Sequence, residues 1–247
     1  MTVLEGKNVS KTYIEKDVSV KALQDINFHL EKGEILGIVG ESGSGKSTLL
    51  KMISGLEKPD SGNIYLLGEE LPFKRTKTQL SSMQMIFQDA PASFNPRRTV
   101  YESIKESVQS LLGKDAKVDK EGLSLMVGLD PALIDRYPRN LSGGQCQRFA
   151  IARAMAVKPS ILLCDEITSA LDVSSQAQIM HLLADICKEN ETSAIFVSHD
   201  LAVVSCLCKR IMVMKGGQLV EEGSSEQIIK APKEEYTKKL IGSVMVI

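Results

Sequence analysis

The sequence predicts an α/β protein: a lobe of parallel strands around a phosphate-binding loop, further strand material on either side of that loop, and an α-helical segment inserted into the lobe. Three observations carry this. The apolar run Ile35-Leu36-Gly37-Ile38-Val39 leads directly into Gly40-Glu41-Ser42-Gly43-Ser44-Gly45-Lys46-Ser47-Thr48, which fits G-x-x-x-x-G-K-[ST]. Two more apolar runs, from Ile161 and from Ile195, end in the polar groups Asp165-Glu166 and Ser198-His199-Asp200. Between them and the first run, residues 88–158 change to helical periodicity.

Taken in order, residues 1–87 read as strand material around the loop, including Gly62-Asn63-Ile64-Tyr65-Leu66, with Lys58-Pro59-Asp60-Ser61-Gly62 as a hairpin-type breaker. Glycines 40, 43 and 45 let successive N–H groups turn inward, and the helix opening near Lys46 aims its positive end at the same anion, so a nucleoside triphosphate is the expected ligand. Lys46 is expected at the β- and γ-phosphates and Ser47 on Mg²⁺. In the helical segment, Val100 to Ile104 opens one amphipathic helix, and Ser142 caps another that runs to Val157 and ends at Lys158-Pro159. Strand and helix alternate again from Ile161 to about Lys215, and residues 234–240 read as a short terminal helix. Asp165, at the carboxyl end of its strand, is placed to hold the Mg²⁺ shell, because open α/β sheets bind ligands at that edge. Glu166 points differently and is available to orient or deprotonate water.

Leu141-Ser142-Gly143-Gly144-Gln145 together with Ile161–Glu166, Ser169-Ala170-Leu171-Asp172 and Ile195–Asp200, in this order, resembles the nucleotide-binding subunit of an ABC transporter over essentially the whole chain. The resemblance implies a single RecA-like ABC ATPase domain with an antiparallel β subdomain, made of 1–87 and 159–247, and a helical subdomain of 88–158. It implies that Glu166 is the catalytic carboxylate, that His199 contacts the γ-phosphate and attacking water, and that the Gln88 amide senses Mg²⁺ and water while its backbone joins the two lobes. Tyr13 takes the place of the aromatic residue that stacks on adenine. Ser142, Gly143, Gly144 and Gln145 are implied to close over ATP held by residues 40–48 of a second, homologous or identical ATPase subunit, and Asp172 to communicate across that interface. Two departures stand out: Cys146 occupies a position commonly basic, with Arg148 as the expected substitute charge, and Ile167-Thr168 replaces the usual proline after the glutamate.

The segment Gln88-Asp89-Ala90-Pro91-Ala92-Ser93-Phe94-Asn95-Pro96-Arg97 resembles the corresponding string of dipeptide, oligopeptide and nickel importer ATPases, and Tyr236-Thr237-Lys238-Lys239-Leu240 points the same way. The implied partners are two membrane permease subunits and an extracytoplasmic solute-binding protein, with Phe94 to Arg97 as the groove wall receiving a permease helix. The alternative is a soluble ABC-type ATPase of DNA repair or translation. Composition bears on the choice: 30 Lys+Arg against 31 Asp+Glu gives net charge −1, so no basic field draws the chain to nucleic acid. No run approaches the about 20 apolar residues of a membrane span, and Met1 to Glu5 lacks a secretory signal's regions. The expected location is the cytoplasmic face of the membrane, as a peripheral subunit. Five cysteines, an odd and scattered set, argue against a disulfide framework.

Overall fold

The computed structural model describes residues 1–15 and 18–244. Along the chain come β1 (Thr2–Glu15), β2 (Val18–Glu31), β3 (Ile35–Val39), α1 (Lys46–Ser54), β4 (Ser61–Leu66) and β5 (Glu69–Glu70). Then follow α2 (Lys77–Ser82), β6 (Met83–Ile86), α3 (Val100–Leu112), α4 (Lys120–Met126), α5 (Gly143–Met155), β7 (Ile161–Asp165) and α6 (Val173–Glu189). The chain closes with β8 (Ser193–Ser198), α7 (Leu201–Leu207), β9 (Arg210–Lys215), β10 (Gln218–Ser224), α8 (Ser225–Lys230) and α9 (Glu235–Val244). Contacts divide it into two compact units, residues 1–75 with 193–247, and residues 76–192. The helical stretch expected at 88–158 falls within the second, which also takes in β6, β7 and α6.

In the first unit, β1 and β2 form a long antiparallel hairpin, extended on the β1 side by β4 and β5 in the order β2-β1-β4-β5. The stretch 58–62, read as a hairpin breaker, instead leads from α1 into the first residues of β4, which pairs with the distant β1 on one side and with β5 on the other. The other strands of this unit run in the order β10-β9-β3-β8, with β3 parallel to both neighbours and β10 antiparallel to β9. Parallel strands are covered on both faces, which explains their unbroken apolar runs: Leu36, Ile38, Val39, Ala194 to Val197 and Ile211 to Met214 have no solvent exposure. At Gly37 a Cβ would collide with Val204 on α7, so the glycine lets that helix lie directly on β3. The central position of β3 delivers its carboxyl end to the loop at Gly40.

Arg210 ties the parts of this unit together. Its guanidinium donates to both Glu34 carboxylate oxygens (2.8 and 2.9 Å), to the His29 carbonyl (2.6 Å) and to Glu222, joining β2, the start of β3, β9 and β10. Burial alone would raise the Glu34 carboxyl, but Arg210 and the Glu31 N–H outweigh it and hold it below its ordinary value of 4.5.

In the second unit, β6 and β7 pair in parallel from Met83↔Ile161 to Ile86↔Cys164. The helices have the start signals their sequence carries: Thr76, Thr99 and Ser142 each close a reciprocal capping box with Gln79, Glu102 and Gln145. Helix α5 is the unit's core element, burying Cys146, Gln147, Phe149, Ala150, Ile151, Ala152, Ala154 and Met155. Arg153, mostly buried, donates to the Ser93 carbonyl (2.6 Å) and hydroxyl (3.1 Å) and stacks 4.6 Å from the Phe94 ring centroid. Phe94 is therefore an internal anchor at 3% exposure, and does not form the outer groove wall expected of it; Asn95, Pro96 and Arg97 are the exposed part of that segment.

Replacing Arg210 by Met should lower stability by about 1–3 kcal/mol at neutral pH, the cost of leaving a part-buried carboxylate unpaired. Since Glu34 titrates lower folded than unfolded, the pair's contribution is full above 4.5 and fades as pH falls through the folded value. Urea midpoints at pH 7 and pH 3 test this; an equal gap between wild type and variant at both would assign the loss to packing instead of charge.

Candidate ATP site

The loop between β3 and α1 is shaped by what touches it. At Gly40 a Cβ would run into the Met214 carbonyl of β9, and at Gly45, where φ is +104°, into the Ala22 carbonyl of β2; both positions demand glycine. Gly217 N–H donates to the Ser44 carbonyl (3.1 Å), fixing the loop from the β9–β10 turn. The Lys46 ammonium, 4% exposed, lies folded back, donating to the carbonyls of Gly40 (2.7 Å) and Glu41 (2.9 Å) and to Ser44 Oγ (3.3 Å). It is thus already held at the loop that the sequence predicts it to serve. Ser47 and Thr48 stand in the first turn of α1.

Tyr13, on β1, shares this neighbourhood. Its hydroxyl donates to Glu57, and Lys11 Nζ lies 5.7 Å from its ring centroid. Burial first, then the Glu57 carboxylate, push the phenol above its ordinary range, while Thr48 acts the other way, so the ring stands beside the start of α1. His199 is exposed just past β8. The next residue fixes the turn: Asp200 caps α7 through the N–H groups of Ala202 (2.8 Å) and Val203 (3.3 Å), and its own N–H donates to Ser198 Oγ (3.0 Å).

The second unit carries the other predicted residues. Asp165 ends β7, and Glu166 follows in the left-handed region at φ +48°, uncommon for a residue with a side chain. Ser169 links it to Gln88: the Gln88 amide donates to Ser169 Oγ (3.1 Å), and that hydroxyl donates to the Glu166 carbonyl (3.0 Å). Gln176 on α6 holds the same loop through the carbonyls of Thr168 and Leu171, both at 3.1 Å. Ile167, the residue in place of proline, is buried. Sequence reading missed Ser169 and Gln176 as supports, because a serine or glutamine near a motif carries no spacing rule of its own. Asp172 caps α6, accepting from Ser175 N–H (2.9 Å) and from the hydroxyls of Ser174 (2.5 Å) and Ser175 (2.7 Å); these bonds, the Ser174 hydroxyl first, hold its carboxyl far below the usual range.

At the start of α5, the Ser142 hydroxyl accepts the Gln145 N–H (3.2 Å) and the Gln145 side chain accepts the Ser142 N–H (3.0 Å). Gly143 and Gly144 occupy the first two helical positions, whose N–H groups have no intrahelical partner, and among the described residues a Cβ at either would meet nothing within 4 Å. Cys146 is buried against the Pro138 carbonyl, and burial raises its thiol. Arg148, expected to replace the missing basic residue, is turned into its own unit: it donates to the Val127 carbonyl (2.8 Å) and Gln178 Oε1 (3.0 Å). A cavity of about 450 Å³ lies among Gln88, Pro91, Gly143, Gln147, Ile167 and Leu171.

Comparison with known proteins shows the family. The model of the family described as ABC transporter matches residues 23–169. The oligopeptide transport ATP-binding protein OppF of Haemophilus influenzae is 44% identical over 247 residues, covering 97% of this chain and 74% of that one, and OppF of Bacillus subtilis is 40% identical, covering 98% and 82%. Among solved structures, the dimeric post-hydrolysis state of the ATP-binding cassette MJ0796 bound to ADP and Pi superposes with a TM-score of 0.78 at 30% identity, over 90% of this chain and 98% of that one. CbiO1 from Clostridium perfringens, part of the transporter complex cbiONQ, gives 0.80 at 27% identity, over 93% and 91%. The chain belongs to the ABC transporter family and is one of its ATPases, binding ATP and coupling its hydrolysis to transport.

Proposed function

We propose that this chain is the ATP-binding subunit of an oligopeptide importer, acting at the cytoplasmic face of the membrane beneath two permease subunits fed by an extracytoplasmic binding protein. The observation that carries the cargo class is identity of 40–45% to oligopeptide transport ATP-binding proteins over at least 92% of the chain. That favours peptides over the nickel chelates that the segment 88–97 also fits. No helix among the described residues is long and apolar enough to cross a membrane; in this reading the permease subunits form the pore.

In this reading the N–H groups of residues 40–48 cradle the phosphates, and Lys46 exchanges the Gly40 and Glu41 carbonyls for phosphate oxygens. Tyr13 stacks on the adenine. Glu166 orients and deprotonates the attacking water, and His199 holds the water and γ-phosphate. The hydroxyl, amide and carboxylate oxygens of Ser47, Gln88 and Asp165 are the hard donors that suit Mg²⁺, and they would hold it; when bound, it neutralises phosphate charge. The Gln88–Ser169–Glu166 hydrogen bonds connect the sensing amide to the backbone that aims the carboxylate. Residues 88–158 serve as the helical subdomain.

Ser142, Gly143, Gly144 and Gln145 serve the nucleotide of a second ATPase subunit. The space at Gly143 and Gly144 supports this, since among the described residues nothing lies within 4 Å of where a Cβ would stand at either. The dimeric MJ0796 cassettes support it independently. Asp172, whose carboxylate caps α6, then faces the interface.

Exchange of Glu166 for Gln keeps size and hydrogen bonding while removing the base, so ATP should still bind while hydrolysis falls about 10²–10⁴-fold. Size-exclusion with Mg-ATP should then trap a dimer; wild-type turnover in the variant would strip Glu166 of the role. Tyr13→Ala should weaken ATP affinity by no more than about 1–3 kcal/mol, the stacking contribution, and GTP nearly equally. Unchanged affinity would return Tyr13 to a structural part in the hairpin. Coupling is tested at the exposed residues of the post-glutamine segment: Asn95→Ala with Arg97→Glu should spare ATP affinity and abolish peptide uptake by the assembled transporter, and undiminished uptake would leave that segment outside the permease interface.

A further inference from the structure

The terminal helix reaches back to the phosphate loop through one residue. Helix α9 is seated by Glu221 on β10, whose carboxylate accepts the N–H groups of Lys233 (2.8 Å) and Glu234 (3.2 Å) just ahead of it. Thr237 and Leu240, three apart on one face, are buried in the same unit. Next to them, Tyr236 turns its hydroxyl to the Glu41 N–H (3.1 Å), and its ring lies 4.7 Å from the ammonium of Lys215, the last residue of β9.

The peptide unit between Gly40 and Glu41 is therefore held at both ends. Its N–H donates to Tyr236, and its carbonyl accepts from Lys46 (2.7 Å). These two groups point in opposite directions across a trans peptide. When Lys46 moves to phosphate oxygens, the carbonyl loses that contact, and the Tyr236 hydroxyl is the anchor that stays. Gly40 itself lies against the Met214 carbonyl, so the backbone at this point is constrained on the β9 side and steered from the α9 side.

We propose that Tyr236 is a positioning residue for nucleotide binding: its hydroxyl keeps the Gly40–Glu41 peptide in the orientation that leaves the following N–H groups converged on the phosphates after Lys46 has changed partners. It touches neither the reacting atoms nor the adenine. Its effect falls on affinity, since the loop must hold its shape equally for bound ATP and ADP, and not on the hydrolytic step.

The test replaces Tyr236 by Phe, which keeps the ring over which Lys215 lies and removes only the hydroxyl. Titration of the full-length subunit with a fluorescent ATP and with ADP should show affinity for both weakened by about two- to tenfold, the range one hydrogen bond supports. In the assembled transporter KM for ATP should rise by the same factor with kcat within about twofold, and the thermal midpoint should stay at the wild-type value. Unchanged affinity in the Phe variant overturns the proposal, as does a fall in kcat with KM unmoved. Tyr236→Ala separates the hydroxyl from the ring: weakened binding in the Ala variant alone would make packing of α9 the determinant and overturn it equally.

Discussion

A loop can turn its N–H groups toward an anion only if its carbonyls, pointing the other way, have partners of their own. That constraint organises the first unit. The Ser44 carbonyl takes the Gly217 N–H, and the Gly40 and Glu41 carbonyls take the Lys46 ammonium. The glycines at 40 and 45 admit the carbonyls of Met214 and Ala22 at distances no side chain would tolerate. Strands β2 and β9, the β9–β10 turn and helix α9 thus converge on six residues of backbone. The central place of β3, with β8 and β9 beside it, brings those elements to one end of one strand.

Lys46 is the movable part of this arrangement. In the chain described it donates to the Gly40 carbonyl and joins the Ser44 N–H on the Glu41 carbonyl, and its charge is taken up by backbone dipoles at 2.7 and 2.9 Å. In the proposed function, arrival of a triphosphate would exchange these neutral acceptors for charged ones, a stronger class of hydrogen bond. Leu49, Leu50, Met52 and Ile53, all without solvent exposure, pack the helix that carries it.

Much of this was legible in the sequence, and for physical reasons. The loop, the strands ending at Asp165 and Ser198, and the capped start of α5 each follow from rules of spacing and polarity that act within a few residues. What was not legible depended on pairing across the chain. Phe94 reads as a surface aromatic in a proline-rich loop, yet Arg153, some 60 residues on, covers its ring and ties down Ser93. Arg148 reads as a spare charge behind the pentapeptide, yet Val127 and Gln178 take its donors. The breaker at 58–62 is correct as a breaker, but its partner strand β1 lies at the opposite end of the sequence segment. Tyr236, the first of the five-residue string near the end of the sequence, meets the Glu41 N–H across 195 residues of chain.

The turn after β7 shows how one departure from the usual pattern is absorbed. A proline after Glu166 would preset its own φ and restrict the glutamate before it. Ile167 does neither, and Glu166 sits at φ +48°, a conformation that costs of order 1–3 kcal/mol for a residue with a side chain and persists only where its surroundings fix it. Here they do. Ile167 and Thr168 are buried, Ser169 N–H and Leu171 N–H close successive turns onto Glu166 and Thr168, and Gln176 clamps the loop from α6. Burial of an isoleucine and a set of hydrogen bonds give the turn the rigidity that a proline ring would otherwise supply. The same bonds hand that rigidity to Gln88 through Ser169, so the backbone aiming the carboxylate and the amide at the edge of the helical segment share one support.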